Sequence, residues 1–469
     1  MKKFFYLCLY FATTVVFFLT CMQIIKLNIL PLKYLLLLIV SDLLLVTLSF
    51  IGINMKKKIL RIIAICFTIF VFLINILFCF YVSKINKHVV KNISSSYYKV
   101  KTSYYIVGKS SDSASAIKDI DSSSLITYYG YSRSIKNALK LTNNYKQKET
   151  DNVLQALDEV SKNDNYYFLV AKANYDYFFN STNLLSKENY KIIDELLVEE
   201  KLKKNDVVKD SYNIYVNGLD FTGIMRDYNM IATINTKTHK ILLTSIPRDY
   251  YIDVPKYNMK DTLMCLGSLD SEVSKDALEN LFDIDIDYTI SFNTNSLVDI
   301  VDLVGGVEFC SDYDFTTTHA LVLDTYDDTK GKKLHVSKGC QTYNGIETLA
   351  IARERNAFPG RDRYRQRNCA QLIVKIGKKI MSLSSFTNYS ELLKTFDGLY
   401  VTDMNENVIK SFIKTGIDNS NFEIINQSVD GSDGIGVGHL GTQESWIMNP
   451  DMSSVNNASE KIKDILHEK

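Results

Sequence analysis

The sequence carries almost no net charge, with 54 basic against 53 acidic residues over 469 positions. A general nucleic-acid binder leaves a strong basic excess, so that class is excluded. No Cys-x-x-Cys pair occurs among the eight cysteines, which removes the usual zinc-ribbon spacing. Arginine is scarce: ten stand among the 54 basic residues, and the others are lysine. Charge is missing altogether from residues 4–25, a run of 22 residues. That is long enough to cross a bilayer. Two further apolar runs cover 34–54 and 62–83. Three in series are not a cleaved signal peptide, which has one short apolar core.

Three membrane spans within residues 1–90 are therefore expected. Lys2, Lys3, Lys56, Lys57, Lys58 and Arg61 share one side, against Lys26 and Lys33 on the other. The positive-inside rule puts the N-terminus in the cytoplasm and everything after about Lys84 outside. Asp42 falls inside the second span. A hydrogen bond between helices is the expected role, with a functional ion or substrate site as the alternative. No clear partner for it is visible in the sequence.

Cys8, Cys21, Cys66 and Cys79 lie in the spans as apolar filling. Cys265, Cys310, Cys340 and Cys369 lie in the exported part. Cys310 and Cys340 flank one loop-rich stretch and are the expected disulfide; four unpaired thiols stay open as the other reading.

Residues 95–205 read as a small α/β accessory unit, with strands over 100–108 and 166–171 and helices over 132–141 and 150–160. It holds no catalytic cluster, so a spacer or docking role is expected. A linker is expected at 201–206. From 208 to 469 strands alternate with helices, the pattern of a mixed α/β sheet flanked by helices. Strands are expected at 212–216, 228–235, 241–246 and 288–292, helices near 278–281 and 296–303. Asp220, Arg248 and Asp249 fall at strand ends, where ligands of such sheets gather. The segment 431–438, "GSDGIGVG", reads as a glycine-rich loop because it lacks a dinucleotide site's strand-then-helix context.

Six of the ten arginines crowd into "ARERNAFPGRDRYRQRN": Arg353, Arg355, Arg361, Arg363, Arg365 and Arg367. Cys369, Leu372, Ile373, Ile376 and Ile380 follow with the spacing of a buried helical stripe, and Pro359-Gly360 shapes the preceding turn. Arginine's planar fork grips phosphate or carboxylate oxygens in pairs. Asp220 and Asp227 add two carboxylates of the kind that hold Mg²⁺ together with water and phosphate. Converging arginines with a divalent ion suit phosphoryl transfer; a solvated face of surface ion pairs is the alternative.

The segments "DYNMIATINTKTHKILLTSIPRDYYIDVP", "IVDLVGGVEF" and "NGIETLAIARERNAFPGRDRYRQRN" together resemble the LytR-CpsA-Psr family across residues 211–380. Three spans, an accessory unit and then the core resemble its capsule-associated branch. The resemblance implies an α/β core enclosing an apolar pocket for a lipid tail. It implies an extracytoplasmic phosphotransferase, assisted by Mg²⁺ or Mn²⁺. Such an enzyme moves a capsular or teichoic-acid-type glycopolymer from a polyprenyl-pyrophosphate carrier to a peptidoglycan sugar hydroxyl. By position, Asp220 and Asp227 match metal-associated carboxylates, and Asp227 with Arg248 are the implied catalytic pair. Arg248, Lys260, Arg353, Arg355 and Arg365 match pyrophosphate-binding positions, Lys260 where the family often has a basic residue, and Asp362 matches an orienter of Arg365. Arg361, Arg363 and Arg367 are expected to be supporting or surface residues. Three features depart from the family pattern. The Asp220–Asp227 segment is short, Arg226 directly precedes Asp227, and Cys369-Ala370 replace a glutamine pair, with Cys369 a candidate for a disulfide. A non-catalytic membrane sensor or assembly factor, and a pyrophosphate hydrolase, are the alternatives.

Overall fold

The computed structural model describes residues 2–468 apart from 94–96, 121–123, 129–132, 142–144, 151–152, 181–184, 187, 221–224, 270–271, 324–329, 359–360, 382–399, 419–420 and 439–443. The expected Pro359-Gly360 turn lies outside the described residues.

Helices Lys2–Leu27, Leu32–Ile53 and Lys58–Ile93 open the chain. Within them Tyr6–Leu27, Leu32–Gly52 and Lys58–Lys84 are long and apolar enough to cross a membrane. A helix satisfies its own backbone in lipid, which leaves polar side chains to find partners inside the bundle. Asn75 Nδ2 donates to Asp42 Oδ1 at 2.9 Å, supplying the partner that the sequence left unseen. Asn86 Nδ2 donates to Gln23 Oε1 at 2.8 Å. At one end of the bundle Ile24, Leu27, Ile29 and Val82 pack with Leu303, Val304, Ile409 and Ile413 of the large unit. Lys33 adds an ion pair with Asp418 at 2.7 Å.

The accessory unit is a five-stranded sheet in the order Lys146–Thr150, Ser124–Tyr128, Tyr166–Ala171, Tyr97–Lys109, Tyr190–Lys203. Its first three strands pair in parallel and its last three in antiparallel fashion. The linker expected at 201–206 is corrected here. Tyr190–Lys203 is an edge strand, and Lys201, Leu202 and Lys203 pair with Lys99, Tyr98 and Tyr97. Glu195, Glu199, Lys201 and Lys203 are exposed on its outer side, together with the apolar Ile192 and Leu197.

The large unit is built on a six-stranded mixed sheet, ordered Tyr400–Thr402, Tyr288–Phe292, Ser211–Leu219, Arg226–Asn235, Lys240–Ile246, Glu423–Ser428. Period-two alternation sends Tyr215, Ile231 and Leu242 to one face, under helices Val273–Phe282 and Met452–His467. It sends Ile214, Val216, Met230 and Leu243 to the other, under helices Arg361–Met381 and Glu406–Asp418. The supposed glycine-rich loop is also corrected: Gly431–Gly436 is a strand paired with Ser445–Pro450. A Cβ on Gly431 would sit 2.4 Å from the Asn449 carbonyl oxygen, so the glycines serve close strand approach.

Candidate active site

Three strand ends meet at one edge of the large sheet. Ser211–Leu219 ends beside Asp220, Arg226–Asn235 begins beside Asp227, and Lys240–Ile246 leads through Pro247 to Arg248. The antiparallel pairing of the first two strands brings the two carboxylates to the same edge. The same alternation disposes of Arg226: it is buried beneath the strand, 4 % exposed, while its half-buried neighbour Asp227 lines the cavity.

The arginine segment arrives from the opposite side. Helix Gly345–Arg353 starts in a capping box, with Asn344 Oδ1 accepting from Glu347 N and Glu347 Oε2 from Asn344 N, each at 3.0 Å. Gly345 lets this helix touch helix Thr294–Leu303, since a Cβ there would lie 2.4 Å from the Val298 carbonyl oxygen. The chain then turns around Glu354 and re-enters helix Arg361–Met381.

Between sheet and helices lies a cavity of about 520 Å³. Its wall is apolar, with Val216, Phe292, Leu297, Ile300, Ile373 and Ile376 among the lining residues. Its charged lining is Asp220, Asp227, Arg248, Arg353, Arg355 and Arg365. Arg248 Nη1 donates to Asp227 Oδ1 at 2.5 Å. Arg365 Nη2 donates to the Asp227 carbonyl at 2.8 Å, and its Nε to Asp362 Oδ1 at 2.8 Å. Asp362 also accepts from Gln366 Nε2 at 2.8 Å, so it fixes two side chains of its own helix. Arg248 Nε lies 3.6 Å from Asp249 Oδ2. Asp362, Arg365, Asp227, Arg248 and Asp249 are therefore joined in one web, in which Arg365 meets the Asp227 backbone carbonyl and the other links run between carboxylate and guanidinium.

This web sets the protonation states. Burial raises the Asp227 carboxyl, but attraction by Arg248, and then by Arg365 and Arg355, outweighs it and holds the group below the usual carboxylate range. Asp227 is thus a firmly ionised group and a weak base. Burial opposes the charge on Arg248, and Asp227 and Asp249 more than restore it. Asp249 is pushed up by burial, with Arg248 offsetting only part.

Lys260 does not join this group. It stands on the hairpin of Tyr251–Val254 and Met259–Thr262, where Asp261 takes the buried face and Lys260 the exposed one. Across the hairpin Lys260 pairs with Asp253 at 3.4 Å. Cys369 is a free buried thiol and not a disulfide partner. Its Sγ donates to the Ala352 carbonyl at 3.3 Å, and burial pushes its pKa up to about 11. The disulfide joins Cys310 to Cys340, which are cross-strand partners in the pairing of Val307–Ser311 with Gly339–Tyr343. Arg363 and Arg367 stay exposed, paired with Asp430 and Asp312. The side chain of Arg361 lies outside the described residues.

Two residues escaped the sequence. Glu354, between Arg353 and Arg355, is fully buried. Its carboxylate accepts from Asn356 N at 2.8 Å, Ala357 N at 2.9 Å, Thr318 Oγ1 at 3.0 Å and Thr318 N. It pins the turn that holds both arginines. His319 lines the cavity from strand Phe315–Ala320, which Glu354 ties to the turn through Thr318. A glutamate within "ARERN" reads as one more surface charge, and His319 lies far from every motif, so neither gave a signal.

Among the described residues, no three His, Cys, Asp or Glu side chains gather around a metal-sized site. The pair Asp220 and Asp227 nonetheless fits Mg²⁺, which keeps several waters and takes one or two carboxylates plus phosphate oxygens. Asp220, Asp227, Asp249 and Asp362 balance Arg248, Arg353, Arg355 and Arg365 one for one. A doubly charged pyrophosphate entering this web would leave negative charge that a divalent cation offsets.

An apolar cavity with a charged mouth, set at one edge of a mixed α/β sheet, is thus the feature that the fold builds. The chain belongs to the LytR_cpsA_psr family, whose model matches residues 175–463. It is 28% identical over 218 residues to "Polyisoprenyl-teichoic acid--peptidoglycan teichoic acid transferase TagU" of Enterococcus faecalis, covering 44% of this chain and 67% of that protein. The protein of the same name from Bacillus cereus is 30% identical over 215 residues, 45% of this chain and 64% of its own length. The match thus spans about two thirds of these relatives. The crystal structure of B. subtilis TagV aligns over 56% of this chain and 100% of its own, at 19% identity and a TM-score of 0.47.

Proposed function

We propose that the chain is an extracytoplasmic phosphotransferase that joins a lipid-carried glycopolymer to peptidoglycan. The observation that carries this reading is the continuity of an apolar cavity with a mouth of four arginines and two aspartates. A polyprenyl tail would lie along Leu297, Ile300, Ile373 and Ile376, and the pyrophosphate would meet Arg248, Arg353, Arg355 and Arg365. The names carried by the relatives, teichoic acid–peptidoglycan transferases, support the same donor and acceptor classes. Basic residues flanking the spans favour a cytoplasmic N-terminus and an external site.

In the proposed step, the oxygen of a peptidoglycan sugar hydroxyl attacks the phosphorus that bears the glycopolymer. The P–O bond to the polyprenyl phosphate breaks, that phosphate leaves with the electron pair, the hydroxyl's proton passes to water or to the departing phosphate, and a phosphodiester remains. The arginines neutralise the charge spreading over the phosphoryl oxygens. Asp227 orients the hydroxyl and steadies Arg248; held ionised by its arginines, it is poorly suited to carry the proton away alone. Asp220 and Asp227 would hold Mg²⁺ or Mn²⁺, which when bound supplies charge neutralisation at the pyrophosphate.

The test incubates the full chain with Mg²⁺, a short saccharide on polyprenyl pyrophosphate and a peptidoglycan fragment. A phosphodiester product is expected, falling about 10²–10³-fold in Asp227→Ala and Arg248→Ala. No product, or equal product from both variants, would contradict the reading. Release of free saccharide phosphate without transfer would point to hydrolysis instead.

A further inference from the structure

Among the described residues the accessory unit gathers no group of metal-ligating side chains, yet it touches the candidate active site at two points. One of its two apolar cores includes Tyr105, Phe168, Tyr175 and Phe178, and one further member comes from the other unit: Met225, 9 % exposed. Met264 and Cys265 pack against the same core. Met225 directly precedes the strand that bears Asp227, and Met264 and Cys265 lie in a short helix bonded to Arg248. Met225 stands two positions before Asp227, and its N–H donates to Asp220 Oδ1 at 3.2 Å. The Asp220 N–H returns a bond to the Met225 carbonyl at 2.8 Å. Met264, in the short helix Leu263–Leu266, donates its N–H to the Arg248 carbonyl at 2.8 Å. Each methionine thus has its side chain in the accessory core and its backbone bonded to a charged residue of the mouth.

We propose that the accessory unit is a positioning module: it seats Met225 and Met264 and thereby fixes Asp220, Asp227 and Arg248 relative to one another. Like charges crowd this mouth, with carboxylates on both sides of Arg248. Strand ends and turns fray unless something buries them. A methionine is a side chain suited to the task, long and adaptable enough to fill a socket belonging to a neighbouring unit. The accessory core supplies that socket, which gives the unit a direct mechanical role in catalysis. Met225 and Met264 act through Asp220, Asp227 and Arg248; they are positioning residues.

The inference rests on the proposed transfer reaction for its activity readout, so its test has two arms, both on the full chain in lipid nanodiscs. In the first, Met225→Ala with Met264→Ala lowers kcat about tenfold or more, because a small misplacement at the reacting centre is costly. KM for the lipid donor changes less than kcat, since the cavity wall and the turn bearing Arg353 and Arg355 are untouched and Arg248 alone among the pyrophosphate ligands is displaced. The Met→Leu pair restores kcat. In the second arm, hydrogen exchange follows the Met225 and Met264 amides, which lose protection in the alanine variant while Ile231 and Leu242 in the sheet keep theirs. A folded double-alanine protein with wild-type kcat and wild-type protection at both amides overturns the proposal. Should that variant fail to fold, Met264→Ala alone decides by the same two criteria. If the wild-type chain transfers nothing, the transfer reading fails, and exchange alone decides whether the accessory unit holds the segments.

Discussion

Arg363, Arg365 and Arg367 sit on one helix within five positions, yet their fates diverge. The side chain of Arg365 is 7% exposed, and it bonds to Asp362 and the Asp227 carbonyl. Those of Arg363 and Arg367 are 62% and 58% exposed and pair with Asp430 and Asp312. Helical geometry explains the split. Residues four apart share a face, and residues two apart point to nearly opposite ones. A run that alternates arginine with other residues must therefore divide between cavity and solvent. Density of arginine in the sequence marks the neighbourhood of the cavity; the helical period decides which arginines line it.

The contrast is best broken at Arg365. Arg365→Ala should lower transfer about 10²–10³-fold, as removal of a preorganised charge at a developing phosphoryl anion does. Activity retained to within about twofold would erase the distinction between the two faces. Glu354→Gln tests the turn behind the inward arginines. Its new amide must point N–H groups at donors that now meet carboxylate oxygens, at a cost of about 1–3 kcal/mol. We expect a lower melting temperature, a raised KM for the lipid donor and a smaller change in kcat. An unchanged KM would show that the turn does not set the grip. The smallest effects belong to Arg363→Ala and Arg367→Ala. Exposed pairs contribute about 0–1 kcal/mol, so stability and transfer should stay near wild type.

Much of this architecture was legible in the chain itself. Lipid-spanning helices need long uncharged runs, and central strands need alternating or continuous apolar residues, so 166–171 and 288–292 were read with the bounds the structure has. Asp220, Asp227, Arg248, Arg353, Arg355 and Arg365 all reach the cavity lining. What failed was whatever depends on a distant neighbour. The edge strand Tyr190–Lys203 shows a polar outer face and hides its pairing. Gly431–Gly436 is a strand only because Ser445–Pro450 lies against it. Lys260 carries the right charge, but the pleat turns it away from the mouth and onto Asp253. Glu354 gains its meaning from Thr318, 36 positions earlier. The partner of Asp42, Asn75, is one helix further along.

The most direct test uses a prenyl pyrophosphate carrying a photoreactive group on its tail, bound to the full chain and then mapped by peptide. Labelling is expected on helices Thr294–Leu303 and Arg361–Met381, whose Leu297, Ile300, Ile373 and Ile376 line the cavity, and it should fall sharply in Arg365→Ala but not in Arg363→Ala. Labelling confined to the membrane helices or the accessory sheet, or equal loss in both variants, would contradict a cavity that holds the tail beneath an arginine-bound pyrophosphate.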